Sequence, residues 1–166
     1  MIFWYLLLLI LVGFAIVVFV GAPYVPIFRV DIESLFDKAK LKRGDRLVEL
    51  GCGDGRVLIA AAKRGIKADG YELNPILALI AYLRTIRYRQ LVRVYWGDFW
   101  KVDLSQYDIA FTFLITRFMP KLERWLGRQK HPIVLISYVF TLPHKKPAAR
   151  TRNGYIYRFD GSVSAR

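Results

Sequence analysis

The sequence is poor in cysteine and histidine, with one cysteine and two histidines among its 166 residues. A single cysteine, Cys52, cannot form an internal disulfide, which excludes a disulfide-stabilised secreted domain and agrees with a reducing compartment. The same scarcity leaves no set of zinc ligands at the usual spacing, so we expect no metal. The sequence also lacks internal repeats and low-complexity stretches. With 55% hydrophobic residues, it is typical of an ordered protein.

Charged side chains are absent from the first 28 residues. Residues 2–20 form an apolar run broken only by Gly13, and roughly 20 such residues span a bilayer as a helix. A cleaved signal peptide is the alternative, but no Lys or Arg precedes the run and it is longer than a usual signal-peptide core. We therefore expect residues 1–22 to be a retained transmembrane anchor, followed by a linker over 23–30. The basic residues after it predict a single-pass membrane protein with its C-terminal domain in the cytoplasm.

Acidic residues are outnumbered two to one, 13 against 26 basic residues, for a formal net charge of +13. Five of the basic residues cluster in the middle of the chain: Arg84, Arg87, Arg89, Arg93 and Lys101. Beside a membrane anchor, such charge predicts contact with an anionic lipid surface. The same charge also suits nucleic acid, or it forms an ordinary solvated face.

Strand and helix patterns alternate after the linker. Predicted strands cover 46–50, 67–72, 92–96, 108–114, 133–137 and 155–159, and predicted helices cover 32–39, 56–64, 75–89 and 120–129. Asp31 is the expected cap of the first helix and Asn74 that of the third, which places Ile76, Leu79 and Leu83 on one face. The alternation predicts an α/β domain over 31–160 with a doubly wound, mostly parallel, Rossmann-like sheet, and a tail over 161–166.

A glycine loop follows the first predicted strand, in the stretch VELGCGDG over residues 48–55. Glycine is needed where backbone approaches a ligand without a Cβ in the way. The dinucleotide fingerprint requires glycine or alanine where this chain has Arg56. Glu49 and Asp54 would repel a pyrophosphate and suit a cationic ligand. S-adenosyl-L-methionine, which carries a sulfonium and an ammonium but no phosphate, is therefore the favoured ligand.

Further acidic residues follow the next two predicted strands. Glu72 stands 21 residues after Gly51, where a carboxylate can accept both hydroxyls of an adenosine ribose. Asp98 follows the third strand, where it can accept the adenine amino group while Phe99 covers the ring. The candidate cofactor-binding residues are Glu49, Gly51, Gly53, Asp54, Gly55, Glu72, Leu73, Asp98 and Phe99.

The segments VELGCGDG, DGYELNP and GDFW resemble the cofactor motifs of class I, seven-strand S-adenosylmethionine-dependent methyltransferases, over about residues 25–140. Within that superfamily the chain is most similar to the membrane-anchored lysine methyltransferases that modify the ATP synthase c subunit and the adenine nucleotide translocase. The segments PYVP, GDFWKVDLSQYD and MPKLE carry this closer resemblance. It implies that Glu49, Gly51 and Gly53 line the methionine end of the cofactor, that Glu72 holds the ribose, and that Asp98 with Phe99 holds the adenine. The region after Ser137 is short for the superfamily, which predicts a shortened C-terminal hairpin with about one antiparallel strand.

The resemblance implies a membrane-anchored enzyme that methylates a protein lysine, with a membrane protein as substrate. A methyltransferase acting on RNA, a lipid or a small hydrophobic acceptor, and a non-catalytic module with the same fold, are the alternatives. No residue stands out as the base that would accept the lysine proton. The aromatic residues near the third strand, Tyr95, Trp96, Phe99 and Trp100, suit ordinary packing or, as the minority interpretation, a cage for a methylated ammonium.

Overall fold

The computed structural model describes residues 3–5, 8 and 25–161. Most of the predicted anchor over 1–22, and most of the predicted tail, lie outside these residues. Within the described ranges, no helix is both long and apolar enough to cross a membrane. Between residues 25 and 161 the helices are α1 (Arg29–Ala39), α2 (Arg56–Lys63), α3 (Pro75–Thr85) and α4 (Met119–Gly127), and the strands are β1 (Arg46–Leu50), β2 (Lys67–Glu72), β3 (Val92–Trp96), β4 (Ile109–Thr112), β5 (Ile133–Tyr138), β6 (Ala149–Arg150) and β7 (Gly154–Phe159).

One seven-stranded sheet carries the fold, with the strand order β3-β2-β1-β4-β5-β7-β6. The first five strands of this order are parallel, and β7 runs antiparallel between β5 and β6. The predicted α/β class and mostly parallel sheet are therefore confirmed. Leu50 pairs with Tyr71 on one side and Thr112 on the other, so the carboxyl ends of the central strands lie level. Ligands of such sheets bind at this edge.

The C-terminal hairpin differs from the prediction of about one antiparallel strand. Two strands are present, although β6 has only two residues, Ala149 and Arg150, paired with Ile156 and Tyr155 of β7. Neither Ala149 nor Arg150 has the β-branched or aromatic side chain that marks a strand in sequence. The strand exists because β7 offers it a partner edge.

Helices cover both faces of the sheet. On one face α1, α2 and α3 bury a cluster that includes Phe36, Leu58 and Ala81. On the other face α4 buries Leu122 and Leu126 in a second cluster. This three-layer arrangement leaves the carboxyl edge of the sheet free of helix bodies, as a ligand site requires.

Helix α1 begins at Arg29, and Phe28 stands at its N-cap without a side-chain cap. The prediction that Asp31 caps this helix is therefore wrong. Asp31 lies in the first turn, where it accepts hydrogen bonds from the Tyr138 hydroxyl at 2.6 Å and from Asn153 Nδ2 at 3.0 and 3.1 Å. Burial, together with Asp31, raises the pKa of Tyr138 to about 12. Asp31 thus ties α1 to the ends of the sheet rather than closing the helix.

Helix α3 is capped as predicted, because Asn74 Oδ1 accepts hydrogen bonds from the amides of Ile76 and Leu77. The helix ends at Thr85 and continues only as a 3-10 turn to Tyr88, short of the predicted end at residue 89. It packs inward through Ala78, Ala81 and Thr85.

Candidate functional site

The glycine loop between β1 and α2 is held by the neighbouring strand. The amides of Gly51 and Cys52 both donate to the Tyr71 carbonyl of β2, each at 2.9 Å. Gly51, Gly53 and Gly55 have φ values of 87°, 52° and 76°, a left-handed region that favours glycine. A Cβ added at Gly51 would meet no atom within 4 Å. The backbone there faces open space, where a ligand can approach.

Two other residues of the loop serve its packing. A Cβ at Gly55 would lie 3.2 Å from side-chain carbons of Ala81 and Thr85, so this glycine allows α3 to approach the loop. Cys52 is buried against Gly70 of β2, where an added Cβ would come within 2.8 Å of the cysteine Cβ. Burial raises the pKa of the Cys52 thiol far above its ordinary value, so the thiol stays protonated.

Glu72 connects the loop to helix α3. Its Oε2 accepts a hydrogen bond from the Gly53 amide and its Oε1 one from the Asn74 amide, both at 2.9 Å. The carboxylate is thereby fixed at the end of β2, and each oxygen still has a second acceptor position. Leu73 follows with a partly exposed side chain, and its carbonyl accepts a hydrogen bond from Trp96 Nε1 at 3.1 Å.

Glu49, in β1 directly before the loop, is a buried carboxylate. It is only 4% exposed, and its Oε2 has no hydrogen-bond partner among the described residues. Burial raises the pKa of Glu49 well above its ordinary value, the nearby charge of Glu72 raises it further, and the Leu58 amide of α2 opposes the shift. A buried carboxylate oxygen without a partner is costly, and a cationic ligand would supply the missing interaction.

Asp54 is buried and already paired. Its carboxylate contacts the guanidinium of Arg56 at 2.8 Å and that of Arg84 on α3. Arg56 also donates from Nη1 to the Ile27 carbonyl at 2.7 Å. Asp54 therefore joins the loop, α3 and the segment that precedes α1. Its contact with a cofactor stays a prediction.

Asp98 follows β3 and is exposed. Its Oδ1 accepts a hydrogen bond from the Trp100 amide at 3.0 Å, which caps a short 3-10 turn. The Phe99 ring lies 4.7 Å from that of Trp100, which in turn packs 5.4 Å from Trp125 and under Lys121. Asp98 and Phe99 thus lie beside the carboxyl end of β3, where the sequence predicts the adenine.

The aromatic residues near β3 do not form one group. Tyr95 stacks on Tyr71 with ring centres 4.9 Å apart, and Trp96 is 72% exposed. Phe99 and Trp100 belong instead to the cluster packed against α4. This separation favours ordinary packing over a cage made by these four rings.

A second aromatic group lies at the ends of β4 and β5; the strand pattern places Phe113 beside the expected site, but it does not show that Phe113 belongs to a group. Phe113 packs edge-on against Tyr138 at 4.9 Å and stacks on Phe140 at 6.1 Å. Ser137 Oγ donates to the Phe140 carbonyl at 2.6 Å, which bends the chain back after β5. No motif marks these residues, because their contacts join positions that are far apart in sequence. They line the part of the carboxyl edge that lies opposite Glu72, across β1.

These groups together offer backbone and carboxylate contacts of the kind that a cationic nucleoside ligand requires. In the described part of the chain, no three His, Cys, Asp or Glu side chains are grouped to hold a metal ion. The loop offers exposed backbone at Gly51, a fixed carboxylate at Glu72 and an unpartnered one at Glu49.

Comparison with known proteins matches this chain to a family model, to curated relatives and to solved structures. The family model of the ANTKMT methyltransferase domain matches residues 49–149. The Homo sapiens lysine N-methyltransferase named for the ATP synthase c subunit is 37% identical over 148 residues, 85% of this chain and 62% of that protein. The adenine nucleotide translocase lysine N-methyltransferase of Mus musculus is 33% identical over 137 residues, 80% of this chain and 59% of that protein. The chain thus spans about three fifths of the length of these two relatives.

Among solved structures, an RNA methyltransferase from Salinibacter ruber in complex with S-adenosyl-L-homocysteine superposes with a TM-score of 0.73. It is 26% identical, and the match covers 81% of this chain and 92% of that one.

Proposed function

Since the chain belongs to the family of the ANTKMT methyltransferase domain, we propose that it transfers a methyl group from S-adenosyl-L-methionine to a lysine of a membrane protein. The observation that carries the cofactor assignment is the unpartnered, buried carboxylate oxygen of Glu49 beside the open glycine loop. The similarity to two lysine methyltransferases named for membrane-protein substrates supports the choice of acceptor.

The residues of the site fit this cofactor. In this proposal the buried carboxylate of Glu49 holds the ammonium of the methionine portion, and the accessible backbone of Gly51 lies beside it. Glu72, fixed by two amides, would accept the ribose hydroxyls. Asp98 and Phe99 would hold the adenine at the end of β3.

When bound, the cofactor supplies a methyl group on a positively charged sulfur, which is a good leaving group. The chain's own task is then to bring the acceptor nitrogen into line and to keep it neutral, because only a deprotonated amine has a lone pair for attack. We place the acceptor lysine beside the apolar wall of Phe113 and Phe140, because an apolar environment lowers the pKa of an ammonium group. The lysine proton leaves to solvent or to the substrate's own groups, since we assign no residue of this chain as the base.

Membrane attachment is the second part of the proposal. Residues 1–22 anchor the protein as a single pass, with the enzymatic domain on the cytoplasmic side. The uncharged first 28 residues and the net charge of +13 in the remainder support this arrangement. It places the domain beside the surface where membrane-protein lysines emerge.

The direct test supplies membranes with the purified full chain and methyl-labelled cofactor. We expect label in membrane protein, and we expect Glu72→Ala to abolish it, because the variant loses the group that orders the loop and accepts the ribose. Asp160→Ala, which removes an exposed carboxylate beyond β7, is the matched control and should retain full labelling. The proposal would be contradicted if the Glu72→Ala variant labelled membrane protein as strongly as the unaltered chain and kept its cofactor binding and turnover.

RNA is a second candidate acceptor with its own support. The solved RNA methyltransferase is matched over 92% of its length, whereas the lysine methyltransferases are matched over about three fifths. The basic excess of the chain also suits RNA. In the labelling experiment, a product destroyed by ribonuclease and resistant to protease would establish RNA as the acceptor in place of lysine.

A further inference from the structure

The solvent face of helix α3 is aliphatic along its whole length. Ile76, Leu79 and Leu83, which are 53%, 57% and 57% exposed, share this face with Ile80, and Ile86 extends it into the 3-10 turn that follows the helix. The helix contacts the sheet through small residues, Ala78 and Ala81, so its large side chains point away from the core. Five exposed branched side chains on one helix face are far more than isolated exposed apolar residues would explain.

Basic residues border this face, and among them Arg84 is paired with Asp54 while Arg93 lies opposite Asp69 of β2. Residues 74–97 contain four arginines and no aspartate or glutamate. Arg87 and Arg89 follow α3 directly and are exposed, and Arg93 is exposed on the adjacent edge strand β3. An apolar helix face bordered by arginines is the pattern of a helix that lies in a membrane interface, with the arginines facing lipid phosphates.

The aliphatic face is also connected to the end of the uncharged N-terminal stretch. The Ile27 carbonyl is bound by Arg56, Arg56 by Asp54, and Asp54 by Arg84 of α3. Next to Ile27, Phe28 is 71% exposed, on the same layer of helices. The chain therefore joins its domain beside α3, close to where the proposed anchor leaves the bilayer.

We propose that α3 docks on an anionic lipid bilayer, with the aliphatic face of Ile76, Leu79, Ile80, Leu83 and Ile86 inserted at the boundary of headgroups and acyl chains. The concavity at this face is a shallow groove of about 240 Å³ against β3, lined by residues that include Leu79, Tyr82 and Trp96. A lipid surface adapts to projecting aliphatic side chains of this kind without a matching shape of its own. Charge agrees, since the arginines meet anionic headgroups and no carboxylate of residues 74–97 opposes them.

Docking would give the site a fixed height above the membrane. Helix α3 begins three residues after Glu72, and Asn74 at its cap is bound to that carboxylate. The inference thus deepens the proposed function by making the bilayer surface part of substrate selection: the favoured lysines lie at the headgroup level.

Selective labelling can test this in the full chain, because the only cysteine, Cys52, is buried. A nitrobenzoxadiazole label is placed at Leu83→Cys and, as a matched control, at Arg128→Cys, an exposed position just after α4 on the opposite layer. The proteins are bound to phosphatidylcholine vesicles that contain phosphatidylglycerol. We expect the Leu83 label to be quenched by doxyl-labelled lipids and protected from aqueous iodide, and the Arg128 label to show the reverse. Equal iodide quenching of both labels on vesicle-bound protein would overturn the docking.

Charge reversal separates docking from attachment by the N-terminal segment. Arg87→Glu with Arg89→Glu should lower the docked fraction of the Leu83 label by about tenfold or more, since each basic residue near an anionic surface contributes about 1 kcal/mol. Arg124→Glu with Arg128→Glu, the same change of charge on the α4 side, should leave it nearly unchanged. An equal effect of the two pairs would contradict a specific role for α3. Binding of S-adenosyl-L-homocysteine is measured on the same proteins. If the label at position 83 fails to dock without any charge reversal while the protein still binds S-adenosyl-L-homocysteine, this proposal alone is overturned and the proposed function is not.

Discussion

At the scale of single residues, Glu49 has opposite effects on stability and on binding: its charged form destabilises the fold but is the form that would bind a cationic ligand. Its pKa is raised by burial, so the folded protein holds the Glu49 proton more tightly than the unfolded chain does. The stabilising contribution of the neutral carboxyl is present at acidic pH and declines as pH rises above the ordinary carboxyl range towards the folded pKa.

Replacement by the neutral isostere should therefore stabilise the ligand-free protein. We predict that Glu49→Gln raises Tm near neutral pH by roughly 2–8 °C, corresponding to about 1 kcal/mol. The gain should vanish under acidic conditions, where wild-type Glu49 is itself neutral. Thermal unfolding of both proteins across this pH range checks the prediction. A Tm difference independent of pH would show that the charge of Glu49 is not responsible.

The same substitution should weaken cofactor binding. Because the proposed ammonium partner favours ionised Glu49, wild-type affinity for S-adenosyl-L-homocysteine should rise with pH, and this part of the pH dependence should be lost in Glu49→Gln. Calorimetric titrations at several pH values measure both slopes. Identical slopes would place the ammonium elsewhere.

Asp98 allows a test with a well-matched control. We predict that Asp98→Ala weakens cofactor binding by about tenfold, the loss of one hydrogen bond of about 1.4 kcal/mol to a polar ligand group. Asp103→Ala removes an equivalent capping bond, from the Ser105 amide at 2.9 Å, in the next 3-10 turn. If both variants bind the cofactor equally, Asp98 acts only as a cap.

At the scale of secondary-structure elements, a single carboxylate, that of Asp31, holds α1 against the ends of the sheet. Asp31→Ala leaves the Tyr138 hydroxyl and the Asn153 amide without their partner, which should cost about 1–3 kcal/mol. We expect a clear fall in Tm. Asp37 lies on the same helix as Asp31 and forms an exposed ion pair with Arg64, which follows α2. Asp37→Ala should therefore lower the free energy of unfolding by less than about 1 kcal/mol. A smaller effect of the Asp31 substitution would contradict its role in holding α1.

The elements near the site could be predicted closely because local signals bound them. Strands β1, β2 and β3 have the predicted limits, and Asn74 caps α3, since glycines, turns and a capping asparagine act within a few residues. The start of α1 was predicted wrongly, because Asp31 bonds to Tyr138, a partner that is distant in sequence. The prediction of about one antiparallel strand missed β6, whose own residues carry no strand signal and which forms on the edge of β7.

The candidate site likewise contains residues that the sequence predicts and residues that it does not. The glycine loop and Glu72 follow from spacing, and the structure brings them together through the Gly53 amide. The position of Phe113 after β4 follows from the strand pattern, but its stacking on Phe140 was not predictable, because that contact joins the ends of β4 and β5. The grouping of Ile76, Leu79 and Leu83 was predictable, but their exposure was not: small residues on the other face of α3 decide which side meets the sheet.

At the scale of the whole molecule, charge and apolar surface favour the same membrane-facing arrangement. The uncharged first 28 residues, the excess of 13 positive charges and the aliphatic face of α3 each suit an anionic bilayer. The fold itself is that of a methyltransferase, with the cofactor-binding sheet at its centre. The proposed docking of α3 would make the shared membrane surface part of acceptor recognition, beside direct contacts.

The central claim, transfer of a methyl group to a lysine of a membrane protein, is tested most directly by locating the transferred group. Membranes from cells that lack this chain are incubated with the purified protein and deuteromethyl-labelled cofactor, and the products are mapped by peptide mass spectrometry. We predict deuteromethyl groups on a lysine of a membrane protein, at the headgroup level, that are absent with Glu72→Ala. Label found only in RNA or lipid, or no label from a protein that binds the cofactor, would contradict it.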